Sequence, residues 1–287
     1  MIDQAYALRN LVKDKANYDD DCLVRQTPYT VAITSGKGGV GKTSLAVNLA
    51  ITIAGMRGGA RLIDADFGLS NADVLLSVTP RYTLEDVALG RVAPADAWTQ
   101  YSNGLKLISS GSGLDSMANI DGVTSVELMK AMLDSASGGD IVIIDTAPGI
   151  DDSVINLLSH ANEVLIVTTP EPTSITDSYA SIKVLTQANP DSQITLVSNC
   201  CANPSQAGAV ANGLDVICRR FLGRSFQRHE YIPYDSAVGR GIVAQKPFIT
   251  QYSHTPAASW LRKLAIKLTE RERQWQSSRT IEALVEA

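Results

Sequence analysis

From residue 29 to residue 276, short apolar runs alternate with segments that carry apolar residues at helical spacing. This alternation predicts an α/β fold, in which helices cover both faces of a mostly parallel sheet. The predicted strands are 31–34, 60–64, 105–109, 141–145, 164–168, 194–199 and 226–232. The predicted helices are 43–54, 71–76, 123–135, 152–159, 174–188, 206–222 and 256–276.

Two terminal elements flank this alternation. Residues 1–12 carry apolar side chains at helical spacing behind an aspartate that could act as N-cap, and a polar linker follows. A helix of this length is not stable alone in water, so the pattern by itself favours a terminus that packs on its own domain or has no role. The expected divisions are 1–28 as helix and linker, 29–255 as one α/β domain, and 256–287 as a C-terminal helix and tail.

A glycine-rich stretch joins the first predicted strand to the first predicted helix. Gly36, Gly41, Lys42 and Thr43 have the G-x-x-x-x-G-K-[ST] spacing of a P-loop. Glycines let successive backbone N–H groups face one anion, and the start of the helix adds its positive dipole end. Lys42 would reach the β- and γ-phosphates of a nucleotide, and the Thr43 hydroxyl would ligate Mg²⁺. The alternative is a glycine-rich turn that binds nothing.

A second lysine lies inside this loop, at position 37, where an ordinary P-loop has no such requirement. With Lys37, the loop resembles the deviant P-loop of the MinD/ParA ATPases. The resemblance implies that Lys37 reaches the nucleotide of a second copy, so that ATP joins two chains and Lys37 acts in catalysis together with Lys42. A solvated Lys37 is the alternative. The other loop residues expected to contact the nucleotide are Gly38, Gly39, Val40 and Ser44.

Acidic residues follow two of the predicted strands. Asp64 and Asp66 end the second strand, and Asp145 follows the apolar run 141–144. Parallel sheets bind ligands at the carboxyl ends of their strands, which puts these carboxylates beside the P-loop. Asp64 and Asp145 could order the Mg²⁺ shell, in part through water. By resemblance to the switch regions of MinD-like ATPases, Asp66 would orient the attacking water, and the Gly149 N–H would contact the γ-phosphate.

The expected base pocket lies at two further strand ends. Asn199 ends one predicted strand, and Pro233, Tyr234 and Asp235 follow the last one. In MinD-like ATPases an asparagine at the first position reads the adenine edge, and a proline-led loop packs on the ring. Cys200, directly after the asparagine, departs from the family pattern. The resemblance to these ATPases implies ATP as the nucleotide, and the guanine signature Asn-Lys-x-Asp of GTPases does not follow this strand.

Composition narrows the choice of partner and compartment. A net charge of −5 and a pI near 5.3 argue against a protein that coats nucleic acid. The four cysteines form no C-x-x-C pair, which favours reduced thiols over a metal or iron–sulfur site. No apolar run approaches the roughly 18 residues of a membrane span, and the N-terminus lacks a signal-peptide pattern. We therefore expect the protein in the cytoplasm or at the inner membrane surface.

Two stretches resemble one branch of the MinD/ParA family, the flagellar-number ATPases of the FlhG type. One is similar to the N-terminal activator helix of that branch and contains Asp3, Gln4, Ala5, Leu8 and Arg9; the other, 170–179, is similar to its segment after the fifth strand. The resemblance implies that the helix docks on the signal-recognition-particle-type GTPase FlhF and stimulates GTP hydrolysis, with Gln4 as the catalytic contact. It also implies ATP-bound dimers on membranes, contact with the flagellar C-ring and restraint of a flagellar transcription activator.

The C-terminal residues combine an apolar face with mixed charge. The face expected to pack on the sheet consists of Trp260, Leu261, Leu264 and Leu268. Beyond it, family resemblance implies a membrane-targeting amphipathic helix. Its basic and aromatic residues are Arg271, Arg273, Trp275 and Arg279, its apolar ones Ile281, Leu284 and Val285, and the glutamates that dilute its charge Glu270, Glu272, Glu282 and Glu286. Lipid contact and a solvated or partner-binding tail both remain open.

We therefore expect an ATP-hydrolysing switch that sets flagellar number through an FlhF-type GTPase. A generic MinD-like membrane-cycling ATPase is the first alternative, and in it the N-terminal helix has little effect. DNA segregation by a ParA-like ATPase is the second, and it requires a basic patch of Arg219, Arg220, Arg224 and Arg228. Iron–sulfur carriers share the P-loop but need cysteine pairs.

Overall fold

The three-dimensional structure is a computed structural model of the whole chain. The described residues are 27–67, 70–102, 104–111, 122–136, 139–226 and 228–286, without the side chains of 122, 123 and 280–286. The predicted N-terminal helix, with Asp3, Gln4, Ala5, Leu8 and Arg9, and nearly all of the linker lie outside the described residues.

The described residues form eight strands and ten α-helices. The strands are β1 (Tyr29–Thr34), β2 (Ala60–Ala65), β3 (Thr99–Ser102), β4 (Leu105–Ile108), β5 (Ile141–Thr146), β6 (Glu163–Thr168), β7 (Ile194–Cys201) and β8 (His229–Pro233). The helices are α1 (Lys42–Arg57), α2 (Ala72–Leu76), α3 (Leu84–Ala88), α4 (Gly122–Asp134), α5 (Asp152–Ser159), α6 (Pro172–Ala188), α7 (Pro204–Leu222), α8 (Ser236–Val243), α9 (Phe248–Gln251) and α10 (Pro256–Glu286).

All eight strands belong to one sheet, in the order β3-β4-β2-β5-β1-β6-β7-β8. Every neighbouring pair is parallel except β3 and β4, which are antiparallel. Every residue of β1, β2, β5 and β6 is buried, as expected for parallel strands covered on both faces. The predicted α/β architecture is confirmed.

Two apolar cores lie on opposite faces of the sheet. Helices α1, α2, α9 and α10 contribute to one core, and α3 to α7 contribute to the other. Side chains of β1 alternate between them: Val31 and Ile33 belong to the first core, and Ala32 belongs to the second. Because side chains of β1 pack into both cores, the loop that follows this strand is held from both faces of the sheet.

The structure differs from the predicted elements in three ways: some elements were missed, the last helix is longer, and the last strand starts later. The antiparallel strand β3 and the helices α3, α8 and α9 were not predicted, and α10 continues beyond residue 276 to Glu286. Side chains of β3 are half-buried or exposed, so this edge strand lacks the apolar pattern that marks the others. The predicted start of the last strand at residue 226 is wrong. The Phe226 N–H donates to the Asp215 carboxylate at 2.8 Å, which removes this amide from the sheet ladder.

The first half of α10 packs as the sequence predicts. Leu261, Leu264 and Leu268 are buried in the core that also contains α1. The half-buried Trp260 meets Tyr231 edge to face, with ring centroids 5.0 Å apart. The helix is therefore part of the α/β domain and not an appendage to it.

The following turns of α10 also serve the fold. Arg271 forms ion pairs with Glu163 and Glu230, and the Trp275 ring meets Tyr29 at 5.5 Å. Glu272, which the sequence suggested would dilute a basic surface, is fully buried and pairs with Arg57. These three residues pack against the domain and are therefore not part of the lipid- or partner-facing surface predicted for the tail. No helix in the described part of the chain is long and apolar enough to cross a membrane.

Glu163 is a fully buried carboxylate at the amino-terminal end of the central strand β6. It accepts hydrogen bonds from the Tyr29 hydroxyl at 3.1 Å and from Thr195, and it pairs with Arg271 and, at 3.7 Å, with Arg228. Burial, followed by the charge of Glu163, raises the pKa of Tyr29. This cluster joins three strands to α10, and each of its partners satisfies the buried charge of Glu163.

We expect Glu163→Gln to lower the free energy of unfolding by about 3 kcal/mol, because it leaves Arg271 without its nearest carboxylate partner. Urea denaturation followed by circular dichroism measures the change. The exposed Glu270 on the same helix provides the matched control, since Glu270→Gln should stay within about 0.5 kcal/mol of the parent. Equal midpoints for the two variants would contradict the assigned role of Glu163.

Candidate nucleotide-binding site

The glycine-rich loop lies between β1 and α1 and can be built only with glycines at several positions. Gly39 and Gly41 have φ angles of 79° and 96°, in the left-handed region. A Cβ atom on Gly36 would lie 2.1 Å from the Asp177 carbonyl oxygen, inside any permitted contact. No side chain caps the amino terminus of α1. The first amides of this helix can therefore bind an anion such as a phosphate.

Lys42 lies beneath this loop and is 7% exposed. Its Nζ donates to the Ser35 hydroxyl at 3.0 Å, and that hydroxyl donates to the Lys37 carbonyl oxygen at 2.6 Å. Burial lowers the pKa of Lys42, while the charges of Asp145 and Asp66 oppose the shift. A buried ammonium at a helix amino terminus suits an anionic ligand. Ser35 directly precedes the first glycine of the P-loop pattern, so the motif could not have identified it.

Lys37 has a different environment from Lys42, although both belong to one loop. Its Nζ lies at the surface and donates to Glu171 at 2.7 Å and to the Thr173 hydroxyl at 3.2 Å. Both partners lie at the start of α6, within the stretch 170–179, but the sequence did not indicate their contacts with Lys37. The Lys37 side chain thus lies on the solvent side of the P-loop.

Asp64 and Asp145 are register partners at the carboxyl ends of the adjacent strands β2 and β5. The Asp64 carboxylate accepts hydrogen bonds from the Ser70 hydroxyl and from the amides of Asp66, Asn71 and Ala72, at 2.9 to 3.1 Å. Burial raises the pKa of Asp64, and these hydrogen bonds partly offset the rise. Asp64 therefore shapes the loop after β2, and any contact with a metal would come in addition.

Asp145 is 1% exposed, and neither carboxylate oxygen has a well-formed hydrogen bond to any described residue. Burial, then the charge of Asp64, raises its pKa well above the usual range, although the nearby Thr43 hydroxyl and Lys42 ammonium act in the opposite direction. An orphaned buried carboxylate beside a threonine hydroxyl suits a cation such as Mg²⁺.

The donor set also indicates how such an ion would be held. Within the described ranges, no group of three or more His, Cys, Asp or Glu side chains could bind a metal. Mg²⁺ keeps several waters and uses one or two protein ligands together with substrate phosphates. Thr43 and Asp145 could supply these one or two protein ligands, and Asp64 lies next to Asp145 on the adjacent strand.

The two predicted switch residues, Asp66 and Gly149, follow the strands β2 and β5. Asp66 is partly exposed, and its carbonyl oxygen accepts a hydrogen bond from the Ser110 hydroxyl at 2.7 Å. Gly149 has a φ of 115°, and its N–H donates to the Ser35 carbonyl oxygen at 3.0 Å. That N–H, expected to contact the γ-phosphate, would first have to leave Ser35.

A cavity of about 190 Å³ opens beside the P-loop. Asn199, Pro233, Tyr234 and Asp235 line it together with the loop, and its apolar wall consists of Leu45, Ile232, Val238, Ile242 and Phe248. The Asn199 Nδ2 donates to the Val40 carbonyl oxygen at 2.8 Å. The predicted base-pocket residues thus lie together against the loop.

Asp235 has a structural task that the sequence did not indicate. Its two carboxylate oxygens accept hydrogen bonds from the Ala237 amide at 2.9 Å and from the Ala257 amide at 3.1 Å. One carboxylate therefore satisfies the amino termini of both α8 and α10. This arrangement anchors the proline-led loop beside the cavity.

Comparison with known proteins was consistent with this geometry. The family model for ParA, described as the NUBPL iron-transfer P-loop NTPase, matches residues 26–269. The antiactivator FleN of Pseudomonas aeruginosa is 36% identical over 238 residues, covering 83% of this chain and 85% of FleN. The flagellum site-determining protein YlxH of Helicobacter pylori is 32% identical over 211 residues, covering 73% and 70%. The fold resembles that of the septum site-determining protein MinD of Pyrococcus horikoshii, solved with Mg-ADP (TM-score 0.71, 22% identity, 84% of this chain and 96% of that one).

The parallel sheet, the P-loop and the carboxylates beside it define a P-loop nucleotide-binding fold. The chain belongs to the MinD/ParA-like ATPases and, within that family, to the FlhG type represented by FleN and YlxH.

We expect Asp145→Asn to raise the free energy of unfolding of the nucleotide-free protein at neutral pH, by roughly 1 kcal/mol, because it removes an unsatisfied buried charge. The folded-state pKa of Asp145 lies above the unfolded value near 3.8. The penalty for ionising it is therefore absent below about pH 4, grows as pH rises and becomes constant above the folded pKa.

Urea denaturation of both proteins between about pH 4.5 and pH 7.5 measures this difference. Asp152→Asn, which changes an exposed carboxylate, is the control and should show no such pH dependence. A gain for Asp145→Asn that is identical across the range would argue against a raised pKa at this position.

Proposed function

We propose that this protein is an Mg²⁺-dependent ATPase used as a switch, which forms a homodimer with ATP and dissolves it by hydrolysis. The observation that carries this proposal is the pair of buried charges at the loop, Lys42 and Asp145, of which the Asp145 carboxylate has no well-formed hydrogen bond to a described residue. Lys42 and the amides of α1 would bind the phosphates. Thr43 and Asp145 would hold Mg²⁺, which neutralises charge on the phosphoryl oxygens. Asp66, at the partly exposed mouth, would position the attacking water.

The position of Lys37 supports a role between two copies. Its ammonium is on the surface, and its ion pair with Glu171 joins side chains that are 39% and 63% exposed. Such exposed pairs contribute roughly 0–1 kcal/mol, so a phosphate of a second copy could readily replace Glu171 as the partner of Lys37. Lys37 would then act in trans, as the resemblance implies.

We expect two substitutions at this site to have opposite effects on assembly with saturating Mg²⁺ and ATP. Lys37→Ala should bind ATP but stay monomeric, because it loses only the contact to the second copy. Asp66→Ala should form a dimer that persists, because hydrolysis falls about 100-fold while the phosphate contacts remain. Size-exclusion chromatography with light scattering, alongside phosphate release, measures both.

Lys130→Ala, which removes an exposed lysine of α4, is the matched control and should assemble like the parent. If Lys37→Ala formed a dimer as stable as that of the parent, the role in trans would be wrong and the alternative, a solvated Lys37, would be favoured. A monomeric Asp66→Ala at saturating ATP would remove the assigned role of Asp66.

We further propose that the switch regulates flagellar number and placement. The similarity to the antiactivator FleN and the flagellum site-determining YlxH supports this assignment. In this proposal, Gln4 stimulates an FlhF-type GTPase, with Asp3, Ala5, Leu8 and Arg9 forming the docking surface. The further partners would be a C-ring component and a flagellar transcription activator. The ATP-bound dimer would act at the inner face of the cell membrane, and the free protein would be cytoplasmic.

Mixing the full-length protein and Mg²⁺·ATP with an FlhF-type GTPase tests this part of the proposal. GTP hydrolysis should rise at least about 10-fold, because a glutamine that orients the attacking water contributes to catalysis in GTPases, and Gln4→Ala should abolish the rise. Gln26→Ala, outside the activator motif, should leave it intact. Equal stimulation by the Gln4→Ala protein would remove the assigned role of Gln4, and no stimulation by the parent protein would favour a generic MinD-like ATPase whose partner is another protein.

The ParA-like alternative has less support. Arg219 pairs with Asp215 at 2.8 Å, Arg228 pairs with Glu163, and Arg224 donates to the Thr186 hydroxyl and to backbone carbonyls. Arg224 and Arg228 are thus engaged within the fold, which leaves the exposed Arg219 and Arg220 as the available members of the four-arginine patch that this alternative requires.

A further inference from the structure

The backbone of Asp66 is held from two sides by side chains. Asp66 is the first residue beyond β2, and the parallel ladder between β2 and β4 ends before it, at the pair Ile63 and Ile108. The Asp66 N–H donates to the Asp64 carboxylate at 3.1 Å, and the Asp66 carbonyl oxygen accepts from the Ser110 hydroxyl at 2.7 Å. Side chains therefore supply the hydrogen bonds that the sheet no longer provides at this position.

The Ser110 hydroxyl belongs to a well-anchored part of the fold. Ser110 is 2% exposed and follows β4 closely. The carbonyl oxygen of its neighbour Ser109 accepts from the Leu84 amide at 2.9 Å, at the first residue of α3. The Thr83 hydroxyl caps that helix by accepting from the Asp86 amide. The segment after β4 is thereby tied to α3 on one side and presents a hydroxyl to the loop after β2 on the other.

The backbone of Asp66 determines where the Asp66 carboxylate lies, because this short side chain has few rotatable bonds. The charge of this carboxylate acts on the pKa of both Lys42 and Asp145, so it is close to the groups proposed to hold the phosphates and Mg²⁺. In the proposed function, the carboxylate orients a water molecule against the phosphate. A misplacement of about 1 Å in such an arrangement can cost about 100-fold in rate.

We propose that Ser110 is a positioning residue for ATP hydrolysis, whose hydroxyl holds the Asp66 carbonyl so that the Asp66 carboxylate faces the attacking water. The inference rests on the proposed ATPase function and on the role given there to Asp66. Ser110 contacts neither the nucleotide nor the water in this arrangement, so it contributes to turnover and not to affinity for ATP. A water molecule in place of the hydroxyl would satisfy the carbonyl but would not tie Asp66 to the end of β4.

Steady-state ATP hydrolysis by the full-length protein with Mg²⁺ tests this inference. Ser110→Ala should lower kcat about 10-fold, because the carboxylate is displaced but still present. Its KM for ATP should stay within about 2-fold of the parent value, because the phosphate contacts remain. Ser109→Ala is the matched control and should keep the parent kcat. Ser109 is an equally buried serine at the same strand end, but its hydroxyl donates to Asp73, at 3.4 Å.

Two further variants distinguish positioning from a general loss of structure. In the Asp66→Ala background, Ser110→Ala should cause no additional fall in kcat, because Ser110 acts through the Asp66 carboxylate. Ser110→Cys keeps the size of the side chain but donates weakly, so its kcat should lie between those of the parent and Ser110→Ala. Thermal melting verifies that each variant is folded.

The possible outcomes separate this inference from the proposed function. A parent protein that does not hydrolyse ATP would overturn both. An active parent with an unchanged kcat in Ser110→Ala, or with equal falls in Ser110→Ala and Ser109→Ala, would overturn the positioning role and leave the ATPase function standing. An additional loss in the Asp66→Ala background would also overturn it, since Ser110 would then act independently of Asp66. A raised KM with an unchanged kcat would contradict it as well, because that pattern indicates lost nucleotide binding.

Discussion

The register of β2 against β5 is the constraint on which the candidate site depends, because it puts Asp64 and Asp145 side by side at the buried ends of two strands. Burial raises the pKa of both carboxylates, and the charge of Asp64 raises the pKa of Asp145 further, so that ionising them destabilises the nucleotide-free fold. The adjacent Lys42 offsets part of this effect. The charge of Asp145 that Lys42 does not compensate favours binding of a metal ion together with an anion, since neither alone would satisfy both Asp145 and the loop amides.

At the amino-terminal ends of the strands, a buried charge is satisfied in a different way. There Glu163 is surrounded by Tyr29, Thr195 and two arginines, so the cluster is complete within the chain. Since Asp145 at the carboxyl end lacks such partners among the described residues, one end of the sheet is closed by ion pairs and the other is open to ligands. The closed end also holds α10 against β1, and β1 leads directly into the P-loop.

The sequence predicted most of the fold, because buried parallel strands are continuous apolar runs and the P-loop is a local pattern. It missed β3, whose side chains alternate only between half-buried and exposed, and α8, which contains two glycines. In the site, the P-loop motif predicted the loop residues that line the cavity, and the family resemblance pointed to Asn199, Pro233 and Asp235. The apolar wall residues Val238, Ile242 and Phe248 were not predicted. The contacts of Ser35 with Lys42 and of Glu171 with Lys37 were not predictable, because Ser35 precedes the motif and the second contact joins residues 134 positions apart.

One loop presents two lysines to two different environments, and the difference follows from backbone geometry. Lys42 begins α1, so its side chain lies under the loop among buried groups; Lys37 precedes the left-handed turns at Gly39 and Gly41, so its side chain lies on the outer surface. In the proposed function, the buried lysine would bind the nucleotide of its own chain. The surface lysine is held by an exposed ion pair with Glu171 and a hydrogen bond to the Thr173 hydroxyl, and a nearby phosphate could replace both partners. A P-loop that carries both lysines would then contact its own nucleotide and that of a second copy without any other change in the fold.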